Sequence, residues 1–265
     1  MLFSVSKVLF LTRYAGSAIL GLYNTDFDVL EKSDQSPITE ADMAAHNILL
    51  EGLSALTPDI PVLSEESDDV VKQARIDWCD FWLVDPLDGT KEFINKNGEF
   101  TVNVALISGG RPVFGVVYQP VKDTMYWGAE GKGAFKQAGT GEVTSIGVSG
   151  LPVTKEGWRV VGSRSHQSDQ FTKFIEGLPS VNVIAVGSSL KLCLVAEGKA
   201  DLYPRFTPTS EWDIAAGHAV LKAAGGVVLS LPTLSELTYN THKDSLINPN
   251  FMACAGKSQA WVDFL

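Results

Sequence analysis

A chain of 265 residues is long for one simple domain and short for two independent ones, so the expectation is one compact unit made of two packed halves. Hydrophobic residues are 45% of the sequence, enough for a large core. The formal net charge of −10 argues against a nucleic-acid partner, which needs a basic face; a small anionic substrate fits if metal ions or local basic residues offset the acidic field. The cysteines, Cys79, Cys193 and Cys254, form neither a disulfide framework nor a zinc spacing, which points to a reducing cytoplasm. His46, His166, His218 and His242 match no histidine-ligated zinc motif.

At the N-terminus, Lys7 and Arg13 fall inside the apolar stretch rather than before it, unlike a signal peptide. Val5, Val8, Leu9, Thr12, Ala15, Ile19 and Leu20 follow helical spacing, which predicts an amphipathic first helix and no uninterrupted apolar run of bilayer length. Ser36-Pro37-Ile38-Thr39 opens a second helix over 40–56, closed by Thr57-Pro58. Short apolar runs at 60–63 and 81–84 read as buried strands with acids at their tips. From Phe100 to Phe135 the pattern is an antiparallel meander with turns at Gly109-Gly110 and Pro120. A looser Gly/Thr/Ser-rich stretch, 137–157, reads as the edge between the halves. Beyond it, strands at 159–162, 181–186, 200–203 and 226–229 alternate with helices at 168–176, 189–197 and 213–224. The expected organisation is an N-terminal α+β half, 1–145, and a C-terminal α/β half, 146–265.

The chemistry concentrates in Trp82-Leu83-Val84-Asp85-Pro86-Leu87-Asp88-Gly89-Thr90. A buried strand ends at Asp85, Pro86 bars its continuation, and Asp88 brings back a second carboxylate. Two carboxylates held together in apolar surroundings repel each other, and a divalent cation removes the conflict. Magnesium prefers such hard oxygen ligands. Leu63-Ser64-Glu65-Glu66 is a second acidic pair at a strand end, though such pairs alone are usually solvated. Asp213 near a helix start serves either a metal or the helix dipole. Thr39 and Asp42 have the spacing of a capping box, which competes with any catalytic role. Lys191 and Arg205 are basic residues in an acidic chain, ordinarily read as surface charge. Ser163 and Ser165 do not sit in the GxSxG of a serine hydrolase.

Taken together, ITEAD at 38–42, LSEES at 63–67, DPLDGTKEFI at 85–94, NGEFTVNVALI at 97–107, GKGAF at 131–135, GSSLKLCLVAEGKADLYPRF at 187–206 and EWDIAAGHAV at 211–220 give the chain a clear likeness. It resembles the inositol monophosphatase-like superfamily of lithium-sensitive, magnesium-dependent phosphatases over nearly its whole length. The DGTKEF and GSSLK-to-YPRF blocks point to its bisphosphate-nucleotidase branch. The resemblance implies a layered αβαβα sugar-phosphatase fold. It implies two or three magnesium ions on Glu65, Asp85, Asp88, Asp213 and the carbonyl of Leu87. Thr90 and Asp42 would orient the attacking water, with Glu66 a less direct participant, and the Gly89 and Thr90 amides would receive phosphate oxygens. Ser188, Lys191, Arg205 and His166 would contact the nucleotide and its second phosphate. The implied substrate is 3′-phosphoadenosine 5′-phosphate, cleaved to AMP and phosphate in sulfur assimilation. The alternatives are inositol-1-phosphate or fructose-1,6-bisphosphate hydrolysis, or a non-catalytic phosphate-binding protein. Monomer or homodimer, and peripheral attachment to the inner face of a membrane, stay open.

Overall fold

The computed structural model describes residues 3–25, 29–31, 37–152, 157–163 and 168–265. Helices α1 (Val5–Tyr23) and α2 (Glu40–Leu56) are separated in the chain by an antiparallel two-stranded pair, β1 (Val29–Glu31) and β2 (Pro37–Thr39). They pack on each other and on one face of a seven-stranded sheet. Its strands are β3 (Val62–Ser64), β4 (Asp80–Asp88), β5 (Thr101–Ser108), β6 (Arg111–Gln119), β7 (Thr124–Ala129), β8 (Gly133–Ala138) and β9 (Thr144–Ile146), in that order. Only β3 and β4 run parallel; the rest form the expected meander. Between β3 and β4 lie α3 (Asp69–Ala74) and a single 3₁₀ turn, Arg75–Asp77. A short α4 (Thr90–Ile94) follows β4.

The second sheet holds β10 (Trp158–Ser163), β11 (Val181–Val186), β12 (Leu202–Arg205), β13 (Val227–Ser230) and β14 (Phe251–Cys254), ordered β11-β10-β12-β14-β13. Helices α6 (Leu190–Ala196) and α7 (Glu211–Ala223) fill the space between the sheets. Helix α5 (Asp169–Gly177) and α8 (Gln259–Val262) cover the outer face of the second sheet. The result is five layers, αβαβα, the implied architecture. Strand β4 shows why both faces must be apolar: Phe81 and Leu83 enter the core between the sheets, while Trp82 and Val84 enter the core under α1 and α2.

Four expectations change. Strand β4 does not stop at Pro86: pairing with β5 resumes at Asp88 after a register shift between Asp85 and Asp88. Proline is tolerated there because a bulge removes the need for its missing N–H, and the same bulge re-aims the neighbouring side chains. The loose stretch 137–157 is in part the end of β8 and the edge strand β9. β14, unread in the sequence because its apolar run has four residues, occupies an interior position in the second sheet. Finally, α1 is long and apolar enough to cross a membrane by length and composition. Counting uninterrupted runs overlooked this. In the fold its Val8, Thr12, Ala15, Gly16 and Ile19 are buried against α2 and the sheet.

Candidate metal and phosphate site

A cleft of about 280 Å³ opens where the two sheets meet. The four acids reach it from three elements. Glu65 follows β3, with its amide bonded to the Val84 carbonyl of β4 (3.0 Å). Asp85 and Asp88 flank the β4 bulge, and Asp213 lies in the first turn of α7. Helix α7 can bring Asp213 this close because the sheet beneath it is flattened by glycine. A Cβ on Gly115 would lie 2.4 Å from the Ala216 carbonyl oxygen, and one on Gly128 2.8 Å from the Ala223 Cβ.

Protein donors hold one oxygen of Asp85, Asp88 and Asp213 and both oxygens of Asp42. Asp85 Oδ1 accepts from the Leu87 amide (3.0 Å). Asp88 Oδ2 accepts from the Ser189 amide (2.6 Å) and, at 3.4 Å, from the Asn103 side chain. Asp213 Oδ2 accepts from the Ser210 amide (2.9 Å). Asp42 Oδ2 accepts from the Thr39 amide (2.7 Å) and hydroxyl (2.6 Å), while its Oδ1 accepts from the Thr90 hydroxyl (3.3 Å). Capping and site chemistry therefore do not compete at Asp42 and Asp213: both sit at the third helical position, where the backbone takes one oxygen and fixes the carboxylate's direction.

Burial pushes the Asp85 carboxyl well above its usual range, and repulsion from Glu65, Asp88, Asp213 and Asp42 pushes it further. Asp213 is raised in the same way by burial, Asp88 and Glu65, against the pull of the Ser210 amide and Arg205. Burial also raises Asp88, opposed by Lys191, Ser189 and Asn103. Such a cluster of mutually repelling carboxylates is the donor set a hard divalent cation relieves. Among the described residues no three acidic, histidine or cysteine side chains already form a closed ligand cage.

The other expected residues divide clearly. Leu87, Gly89, Thr90, Ser188, Lys191 and Arg205 all line the cleft with Glu65, Asp85, Asp88 and Asp213. Gly89 has a φ of +94°, the left-handed turn that lets β4 pass into α4. Thr90 also donates to the Leu87 carbonyl (3.3 Å). Asp42 is buried behind Thr90 rather than in the cleft wall. Glu66 does not line the cleft; its amide donates to the Ser64 hydroxyl at 3.3 Å. Lys191 is buried, its ammonium donating to the Ser188 carbonyl (2.6 Å) and standing 5.6 Å from the Tyr203 ring centre. Arg205 is braced by the carbonyls of Thr207 and Pro208, both at 3.0 Å. His166 lies outside the described residues.

The profile of the inositol monophosphatase family matches residues 5–258. The chain belongs to the inositol monophosphatase family. Among relatives of that family, the 3′(2′),5′-bisphosphate nucleotidase CysQ of Salmonella typhimurium is 49% identical over 93% of this chain and 98% of its own length. The protein of the same name from Escherichia coli K12 is 48% identical over the same shares. The crystal structure of CysQ from Bacteroides thetaiotaomicron superposes with a TM-score of 0.80 at 39% identity, over 95% of this chain and 97% of that one.

Within this family member, sequence reasoning missed Asn103 and Ser189. Ser189 joins the halves: its amide holds Asp88 while its hydroxyl donates to the Asp213 carbonyl. Asn103, fully buried, holds the Ser189 hydroxyl (2.9 Å) as well as Asp88. The available signal was an amide side chain inside the apolar strand TVNVALIS, which a fold tolerates only when it is hydrogen-bonded.

Proposed function

We propose that this chain is a magnesium-dependent 3′(2′),5′-bisphosphate nucleotidase that hydrolyses 3′-phosphoadenosine 5′-phosphate to AMP and phosphate. The observation that carries the reading is one cleft lined by both signs of charge. Four carboxylates, from Glu65, Asp85, Asp88 and Asp213, share it with two basic side chains, Lys191 and Arg205. A monophosphate needs only the first set, whereas a substrate with a second, unreacting phosphate uses both. The CysQ proteins to which the chain is 48–49% identical are named 3′(2′),5′-bisphosphate nucleotidases.

Glu65, Asp85, Asp88, Asp213 and the Leu87 carbonyl hold two or three ions. Magnesium there supplies charge neutralisation at the phosphoryl group and a water acidic enough to attack near neutral pH. Thr90 and Asp42 form a pair in which the carboxylate accepts from the hydroxyl, so the Thr90 oxygen is left to accept from and orient that water. Glu66 supports the neighbouring Glu65 from outside the cleft. The Gly89 and Thr90 amides receive phosphate oxygens. Ser188, Lys191, Arg205 and His166 recognise the nucleotide. The halves 1–145 and 146–265 each supply part of the site, the first the water-orienting pair Thr90–Asp42 and most ligands, the second Asp213 and specificity.

The test is phosphate release from 3′-phosphoadenosine 5′-phosphate, AMP, inositol-1-phosphate and fructose-1,6-bisphosphate, with and without magnesium. The expected result is magnesium-dependent turnover with the highest kcat/KM on the bisphosphate nucleotide, abolished in a folded Asp88→Asn variant. Preferential turnover of a sugar or inositol phosphate overturns the substrate. Binding of phosphate without turnover of any of them overturns the enzyme.

A further inference from the structure

The ligand-bearing strands β3 and β4 belong to one sheet, whereas Asp213 rides on the helix between the sheets, so something must set the distance between them. Arg75 stands in the connection from β3 to β4 and is buried. Its Nη1 donates to the Asn240 side-chain carbonyl (2.5 Å), and its Nη2 to the backbone carbonyls of His242 (2.8 Å), Lys243 (3.2 Å) and Ser245 (3.0 Å). Asn240 returns the contact, donating from Nδ2 to the Arg75 carbonyl (2.7 Å). The Asn240 amide then donates to both Glu211 carboxylate oxygens, at 2.9 and 3.0 Å.

Glu211 is the first residue of α7, two before Asp213. Its own amide donates to the Leu246 carbonyl (2.7 Å). Further along the same loop, Asn248 ties the Thr209 and Ser210 carbonyls, at 3.2 and 2.7 Å. The loop 240–248 therefore straps the entry to α7 on both sides, and Arg75 anchors that loop. A second link runs in parallel: the Lys72 ammonium of α3 lies 5.5 Å from the ring centre of Trp212. A guanidinium spent on backbone carbonyls of a distant loop is a poor use of a buried charge for stability alone. Its fork can fix direction and distance at once, which a lysine ammonium cannot.

We infer that Arg75, acting through Asn240 and the loop 240–248, is a positioning residue that sets Asp213 in register with Glu65 and Asp85. The inference rests on the metal site proposed above. Loss of the strap lets the start of α7 move against the first sheet, which spreads the carboxylates and weakens cation binding. Thr90 and Asp42 lie on other elements, so the chemical step at saturating cation is spared.

The experiment measures Mn²⁺ binding by electron paramagnetic resonance, and the magnesium concentration for half-maximal rate, in wild type, Arg75→Lys and Asn240→Gly. Asn240 has a φ of +56°, so glycine keeps its backbone while removing the side chain. Arg159→Lys is the control, weakening an ion pair with Asp201 outside the cleft lining. The expected result is a ten-fold or greater loss of Mn²⁺ affinity in both strap variants, a matching rise in the magnesium requirement, and kcat within about three-fold at saturation. The control lowers Tm without changing Mn²⁺ affinity. If the strap variants lose Tm but keep wild-type Mn²⁺ affinity, Arg75 is merely structural and the inference falls. Should one of them fail to fold, the other decides by the same criterion. Wild-type protein that binds no Mn²⁺, or binds it equally with Asp88→Asn, overturns the metal reading itself.

Discussion

Replacing Lys191 or Arg205 by methionine tests how the cleft selects its substrate. Methionine keeps an apolar stem at each position and removes the cation, at Lys191 together with the ammonium that stands over the Tyr203 ring. Lys191 uses one of its three N–H donors on the Ser188 carbonyl, and Arg205 uses two of its five on Thr207 and Pro208. Both cations are thus oriented by backbone and still have donors to offer an anion. A hydrogen bond to a charged group contributes about 1.5–3 kcal/mol, which converts to roughly a ten- to hundred-fold loss in kcat/KM. Lys191 also favours the ionised form of Asp88, so its loss lowers the rate on every substrate to some degree. The informative quantity is therefore a ratio. kcat/KM on 3′-phosphoadenosine 5′-phosphate divided by that on a nucleoside monophosphate should fall about ten-fold or more in each variant. An equal fall on both substrates would show that these residues only set the general field, and the proposed second-phosphate contact would be wrong.

Three further outcomes follow from the geometry. Thr90→Ala should lose about a hundred-fold in kcat while its magnesium requirement stays near wild type, because Thr90 orients water through Asp42 rather than neutralising a cation; full rescue by excess magnesium would refute this. His218 is fully buried, and burial, reinforced by Lys222, depresses its pKa to about 3. The unfolded chain takes up that proton near pH 6.5, so this contribution to stability is complete above pH 6.5 and is lost as pH falls toward 3, amounting to at most about 5 kcal/mol. Urea unfolding across that window should show a shallower acid slope in His218→Asn, and an unchanged slope would remove His218 as a cause. Gly115→Ala should destabilise the fold by about 1–3 kcal/mol, because the added methyl meets the backbone of α7 at Ala216; a Tm equal to wild type would mean that the helix yields freely.

Much of the site is legible in the sequence because its determinants are local. Asp85, Leu87, Asp88, Gly89 and Thr90 lie within six residues, and the turn chemistry of that segment dictates that two carboxylates return to one place. The capping box at Thr39 and Asp42 is equally local, and the structure uses it as written. The strand runs and turn signals from Phe100 to Phe135 predict an antiparallel meander, as found. What the tertiary structure alone decided is how these pieces meet. Pro86 continues a strand it was expected to end, because pairing with β5 absorbs the missing donor in a bulge. β14 enters the second sheet from the far end of the chain, through register with β12 and β13 that four apolar residues cannot announce. Asp213 reaches Asp88 only because Gly115 and Gly128 admit α7 against the sheet, and because Ser189 ties its carbonyl across. Short-range preference sets what a segment can be, whereas close approach between elements distant in the chain depends on which surfaces have room for one another.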